Sequence, residues 1–244
     1  MEPQLKPVPI QGSNSSSTWR TGDAGTVVVA DQNNVIRNTY WLLALSMIPT
    51  VAGAFLGSSM NFASFYRTSP IMAPLLMFAA MFGMLFVVSA LRNSAWGIAA
   101  VFGFTFVSGL MLAPMLQYAG GLKNGGELVA LAGGMTAAVF FVMATIATVS
   151  KRDFSFLGKF LFVGVILLCL AMIANLFMQV PALTIALSAI AVGIFSLYLL
   201  HDLSQIVRGG QTNYIMATIG LFLDIFNIFV NLLNLLLIFS GQRD

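Results

Sequence analysis

The chain has 244 residues, of which 59% are hydrophobic and only 8% charged, with a formal net charge of +3 and a mean hydropathy of +0.92. A soluble domain carries about 25% charged residues, so this composition excludes one and leaves a single polytopic membrane domain. The lone cysteine, Cys169, rules out an intramolecular disulfide, and the modest positive charge gives no support for a nucleic-acid partner.

Residues 1–37 are polar, with Pro first and then Ser, Asn and Gly in the run Gly12-Ser13-Asn14-Ser15-Ser16-Ser17-Thr18, and they lack the apolar core of a signal peptide. So little of this segment can be buried that its ordering entropy is not offset. It is expected to be a flexible tail, apart from a short docking of Val27-Val28-Val29, and to be available to partners. The membrane domain then occupies 38–244.

Seven apolar stretches long enough to cross a bilayer follow, roughly Thr39–Gly57, Ile71–Leu91, Ala95–Tyr118, Leu128–Val149, Leu157–Met178, Leu183–Ile206 and Tyr214–Phe239. The breaks carry polar or Gly/Pro punctuation: Arg67 to Pro70, Arg92-Asn93-Ser94, Gly120 to Gly126, Lys151-Arg152-Asp153, Gln179 to Pro181, and Arg208-Gly209-Gly210. Six spans would require one of these segments to be re-entrant. Gly53 and Gly57 form a small-xxx-small pair that permits close helix contact, although glycine is too common in membrane helices for the spacing to imply a dimer. No internal repeat is visible, which weighs against a transporter built from inverted halves.

Lys and Arg are unequally shared between the two sides. The N-terminal tail, Arg92, Lys151, Arg152, Lys159 and Arg208 fall on one side, and Arg67, Lys123 and Arg243 on the other. The bias places the N-terminus in the cytoplasm and the C-terminus outside.

Most acidic residues, namely Glu2, Asp23, Asp31, Glu127, Asp153 and Asp244, lie in tails or loops; Asp202 and Asp224 lie in the last two spans. In the last span Asp224, Asn227, Asn231 and Asn234 stand at offsets 0, 3, 7 and 10, which keeps them on one face of a helix whose other faces are Leu, Ile, Phe and Val. Such a stripe faces other helices or a wet cavity, so this helix is expected at the centre of the bundle. Asp202 is about 9 Å before Arg208 and Asp224 about 15 Å after Tyr214 by helical rise, a similar depth in the cytoplasmic half, where the two carboxylates can meet.

Two carboxylates in one low-dielectric site do not both ionise easily, so the pair is expected to titrate in two separated steps and to sense protons. Arg92, on the same side, is a candidate partner for one of them in a closed state. Blander readings stand beside these. Asp202 and His201 can sit solvated at the membrane boundary, the Asn stripe can be interhelical hydrogen bonding, and a structural role suits His201 better than a proton relay.

Enzymatic readings fail on detail. Pro181-Ala182-Leu183 matches a signature of intramembrane aspartyl proteases, but those carry G-x-G-D where this chain has Leu221-Phe222-Leu223-Asp224, and their Pro-Ala-Leu follows both aspartates. Ser108-Gly109 lacks the preceding glycine of a serine protease, His201 is the only histidine, and no His/Cys metal motif is present. No catalysis and no cofactor are expected.

The stretches Phe195-Ser196-Leu197-Tyr198-Leu199-Leu200-His201-Asp202-Leu203-Ser204-Gln205-Ile206 and Leu221-Phe222-Leu223-Asp224-Ile225-Phe226-Asn227-Ile228-Phe229-Val230-Asn231-Leu232-Leu233 resemble the most characteristic segment of the Bax inhibitor-1 family. Phe104-Thr105-Phe106-Val107-Ser108-Gly109 and Asp153-Phe154-Ser155-Phe156-Leu157 fit it as well, and coverage runs from about Val35 to the end. Ile36-Arg37-Asn38-Thr39-Tyr40, Ala174-Asn175-Leu176-Phe177, Pro181-Ala182-Leu183 and Gly209-Gly210-Gln211-Thr212-Asn213-Tyr214-Ile215 point to the family's bacterial YccA branch.

The resemblance implies an all-α membrane fold of six helices around a central seventh, in the bacterial inner membrane. The branch implies a modulator of the FtsH membrane protease, gripped by its N-terminal tail; the wider family implies a pH-sensitive calcium leak governed by aspartates at Asp202 and Asp224. That branch does not carry an aspartate at the position of Asp224, whereas this chain does, so the leak stays open as an alternative. Calcium takes six to eight oxygens, so two carboxylates, Asn227 and a few waters would form only a weak transit site for calcium as a permeant ion.

Overall fold

The computed structural model describes residues 21–60, 63–150, 152 and 154–241, and these contain eight helices and no strand. They are α1 (Thr21–Ser59), α2 (Ala63–Thr68), α3 (Met72–Leu91), α4 (Trp96–Gly120), α5 (Gly125–Val149), α6 (Leu157–Met178), α7 (Pro181–Val207) and α8 (Tyr214–Gly241). All but α2 are long and apolar enough to cross a membrane, the spanning part of α1 being Gln32–Ser59.

The seven spans expected from the apolar stretches are all present, and the differences lie at their ends. The helix of α1 continues upstream across the boundary drawn at residue 38; residues 1–20 and the Lys151, Asp153 and Arg243 positions lie outside the described residues. α5 starts at Gly125, ahead of the expected Leu128, because polarity does not end a helix and Glu127 in the first turn suits the positive end of the helix dipole. α7 starts at Pro181, which serves as a first-turn proline and needs no amide hydrogen there.

α8 is the middle of the bundle. It packs against α1, α3, α4, α5 and α7, while α6 joins the bundle through α7. Half of its apolar stretch is buried inside the protein (50%), against 11% for α3, α5 and α6, which turn most of their surface to lipid. Phe55, Phe86 and Phe160 are among the large apolar side chains on that outer surface.

The tightest crossing is α1 on α4. A Cβ placed on Gly53 would strike the carbonyl oxygen of Phe106, one on Gly109 would strike that of Thr50, and one on Gly57 would lie 2.7 Å from the Ala113 Cβ. The small-residue pair on α1 is thus matched by Gly109 and Ala113 on α4, and it brings two backbones of the same chain together. Phe104 of α4 then meets Phe222 of α8 edge to face, centroids 5.8 Å apart, which ties this pair of helices to the central one.

Candidate functional site

Helices α7 and α8 run antiparallel through the short connection 208–213, and Asn213 fixes their junction. Its Oδ1 accepts from the backbone N–H groups of Ile215 and Met216, each at 3.1 Å, capping α8. Its amide also donates to the Arg92 carbonyl at 3.0 Å and to Asn93 Oδ1 at 2.9 Å, holding the end of α3 beside the start of α8.

From that junction the depths of the two aspartates follow by helical rise, and the structure brings them together. The carboxylate of Asp202 rests over Gly220 of α8, one turn before Asp224 on the same face; any Cβ at Gly220 would strike Asp202 Oδ2. The two aspartates act on one another electrostatically. Asp224 is 4% exposed, and its Oδ2 has no hydrogen-bond partner. Asp202 is half-buried against α8, so it is engaged in the helix interface and is not simply solvated at the boundary. Tyr198, one turn before Asp202 on the same face of α7, was not singled out from the sequence.

Neither aspartate forms an ion pair with a Lys or Arg among the described residues, and His201, adjacent to Asp202 on α7, is an ionisable group that acts on it. Arg92 is exposed at the end of α3, where its carbonyl is the group engaged by Asn213, and it forms no ion pair with either aspartate. Ser204 Oγ of α7 and Thr39 Oγ1 of α1 are also buried without partners, and Thr218 of α8 donates to the Thr39 carbonyl at 3.4 Å. An unmet polar group in a membrane interior is costly, and a bound water at such oxygens would lower that cost.

The asparagine stripe continues from Asp224 toward the other membrane face, but its hydrogen bonding differs along its length. Asn227 donates to the Leu223 carbonyl and Asn231 to the Asn227 carbonyl, both at 2.8 Å, so these two amides bond back to their own helix. Only Asn234 reaches another helix among the described residues, donating to Ser188 Oγ of α7 at 2.9 Å. Asn231 and Asn234 line a cavity of about 570 Å³ between α6, α7 and α8 whose walls are mostly apolar, with Asn175, Gln179, Thr184 and Ser188 among its polar positions. Asn175 is fixed there by donating to Thr184 Oγ1 at 2.7 Å and accepting from Val180 N–H at 3.1 Å.

At the opposite end of α7, three residues on one face hold the α5–α6 connection. His201 Nδ1 meets the Phe154 carbonyl at 3.0 Å, Gln205 donates to Ser155 Oγ at 2.6 Å, and the Arg208 guanidinium donates to the carbonyls of Ser150 and Arg152. His201 also presents its ring edge to Tyr198, centroids 6.3 Å apart. Its contacts are those of a clamp.

Chemically, the site is one buried and one half-buried carboxylate with a row of amides leading to the cavity between α6, α7 and α8. No group of three or more His, Cys, Asp or Glu side chains gathers among the described residues, so the carboxylate oxygens of Asp202 and Asp224 fall short of a calcium shell without several waters.

Over residues 32–241 the sequence matches the family model described as "Inhibitor of apoptosis-promoting Bax1". The "Modulator of FtsH protease YccA" of Escherichia coli is 37% identical across 84% of this chain and 90% of its own length. An uncharacterized protein of Neisseria meningitidis is 36% identical across 89% of this chain and 96% of its own, and one of Pseudomonas aeruginosa 37% identical across 88% and 95%.

Proposed function

The chain belongs to the Bax inhibitor-1 family, and from that premise we propose that it modulates an FtsH-type protease in a bacterial inner membrane. The observation that carries this reading is the 37% identity to YccA across 84% of this chain and 90% of that relative's length. The protein is an interaction partner with no catalytic role. Its N-terminus lies in the cytoplasm, following the Lys and Arg bias, and residues 1–20 serve as the segment the protease grips.

The test is turnover of a known FtsH substrate and of this protein itself in cells with and without it. Removal of residues 1–20 is expected to lengthen its own FtsH-dependent lifetime, whereas Asp224→Asn leaves that lifetime unchanged. Equal lifetimes for the full-length and truncated proteins remove the tail from the interaction, and unchanged substrate turnover removes the modulator role.

A second reading is favoured by one feature, the juxtaposition of Asp202 and Asp224 without a Lys or Arg partner among the described residues. In it the pair senses protons and gates a weak leak of calcium, with Arg92 able to close the site when it swings inward and the Asn227, Asn231 and Asn234 ladder carrying the path to the cavity between α6, α7 and α8. Calcium flux into proteoliposomes, followed across neutral pH for wild type, Asp202→Asn and Asp224→Asn, decides it. A pH-dependent flux altered by either substitution supports the leak, and no flux above empty liposomes at any pH eliminates it.

A further inference from the structure

Helices α1 and α5 are each held by α4 and α8 but do not pack against one another along most of their length. Between them lies a groove of about 810 Å³ whose walls are almost entirely apolar and whose floor is formed by Phe222, Phe226 and Phe229 of α8. We propose that this groove holds one acyl chain of an anionic phospholipid, with the lipid phosphate at Arg37.

Dimensions choose the occupant. The groove runs along α1 from Tyr40 to Ser58 and along α5 from Val129 to Phe141, about 27 Å and 18 Å by helical rise, so it extends through much of the hydrocarbon layer. The groove is open sideways to the bilayer, and an extended polymethylene chain matches both its length and its apolar walls. The space is open at its middle, where a Cβ on Gly133 would meet nothing within 4 Å.

Charge sets the direction. Arg37 stands at the head of a row that continues at seven-residue steps through Ala44, Val51 and Ser58, all three of which line the groove, and such a row drifts by only about 20° per step. Its guanidinium is exposed and donates to Asn34 Oδ1 at 3.1 Å, leaving further donors for a phosphate. One turn deeper, Tyr40 meets Phe140 of α5 edge to face with centroids 6.5 Å apart, and Trp41 is 67% exposed beside it. Tyr and Trp at that position mark the headgroup level.

The opposite mouth carries both signs. Glu127 in the first turn of α5 is exposed there together with Lys123 just before it, so the two charges offset one another and the net attraction for an anionic headgroup lies at Arg37. The floor residues lie on the face of α8 opposite Asp224, so a bound chain and the carboxylate pair share one helix from its two sides.

The experiment uses the full chain in phosphatidylcholine nanodiscs containing a minor fraction of phosphatidylglycerol with a diazirine in one acyl chain, followed by irradiation and peptide mapping. Adducts are expected to concentrate on groove positions such as Met47, Val51 and Ala137, above those on the exposed Phe160 and Phe162 of α6. Arg37→Gln is expected to lower groove adducts about fivefold for phosphatidylglycerol, in line with one basic residue at an anionic surface, and to leave adducts from a phosphatidylcholine probe unchanged. Gly133→Phe is expected to remove groove labelling for both. Labelling spread evenly over α1, α5 and α6, or a groove that stays unlabelled in wild type because a protein segment occupies it, overturns the proposal. Indifference of phosphatidylglycerol labelling to Arg37→Gln overturns its headgroup assignment. Mapping of the wild type alone decides the groove's occupancy should Gly133→Phe fail to fold.

Discussion

Asp224→Asn keeps the shape of the side chain while removing its ability to ionise, and the structure sets what this does to stability. Asp224 Oδ2 is buried without a partner beside a second carboxylate, and an unmet buried polar atom costs about 1–3 kcal/mol. An amide at 224 has a ready acceptor in the Gly220 carbonyl, by the same backward reach that Asn227 makes to Leu223 and Asn231 makes to Asn227, each at 2.8 Å. It can also donate to Asp202, which packs over Gly220. The expected result at neutral pH is therefore a gain of about 1–3 kcal/mol. For a chain of this size each kcal/mol moves the midpoint by roughly 2–4 °C in a thermal melt of the purified protein in detergent. Asp202→Asn, at a half-buried position, is expected to give a smaller gain in the same assay. A lower midpoint for Asp224→Asn would refute the reasoning, because it would mean that the carboxylate is held by a partner and is part of the scaffold.

Three further outcomes follow from packing. Gly109→Val drives a branched side chain into the Thr50 carbonyl and is expected to cost about 3 kcal/mol or more, read as loss of monodisperse protein in size-exclusion chromatography, whereas Gly83→Ala, with nothing within 4 Å of its Cβ, leaves the profile unchanged. Gly220→Ala forces the Asp202 carboxylate aside without altering any charge; should proteoliposomes of the wild type show a pH-dependent calcium flux, its pH midpoint is expected to shift in this variant, and an unmoved midpoint separates Asp202 from proton sensing. Asn234→Leu deletes the 2.9 Å bond to Ser188 and is expected to cost about 0.6 kcal/mol, measured by the same thermal melt; a loss above about 2 kcal/mol would assign it a larger share of the α7–α8 contact.

Much of the fold was legible because lipid imposes one rule on every span. Runs such as Tyr214–Phe239 must be helices, since no other open structure satisfies the backbone there, and the single polar stripe in that run marked the most enclosed helix. Helix ends were less legible. Pro181 and Gly125 read as breaks, yet both open helices, because helix starts tolerate proline and polar residues that span interiors do not.

The site was legible in part for the same reason. Asp202 and Asp224 were found because a carboxylate in a span is costly, and their depth followed from helical rise alone. Tyr198 and Gly220 were not found: a tyrosine near a membrane boundary and a glycine in a span are each common. The meaning of Gly220 appears only when Asp202 of the neighbouring helix occupies the space its missing Cβ leaves. Arg92 was placed on the correct side by chain order, but its outward position is set by how α3 ends against Asn213.

By itself, the sequence determined the seven spans, their alternation across the bilayer, and the helix and face carrying the ionisable residues, because hydrophobicity and helical periodicity are properties of single segments. Only the tertiary structure decided that Gly53 and Gly57 serve α4, that Asn227 and Asn231 bond to their own helix while Asn234 reaches α7, and that α1 and α5 stand apart. Those outcomes depend on which helices become neighbours and how closely. Between helices already in lipid no hydrophobic force selects the neighbour, so the choice falls to shape and a few polar contacts distributed over distant parts of the chain.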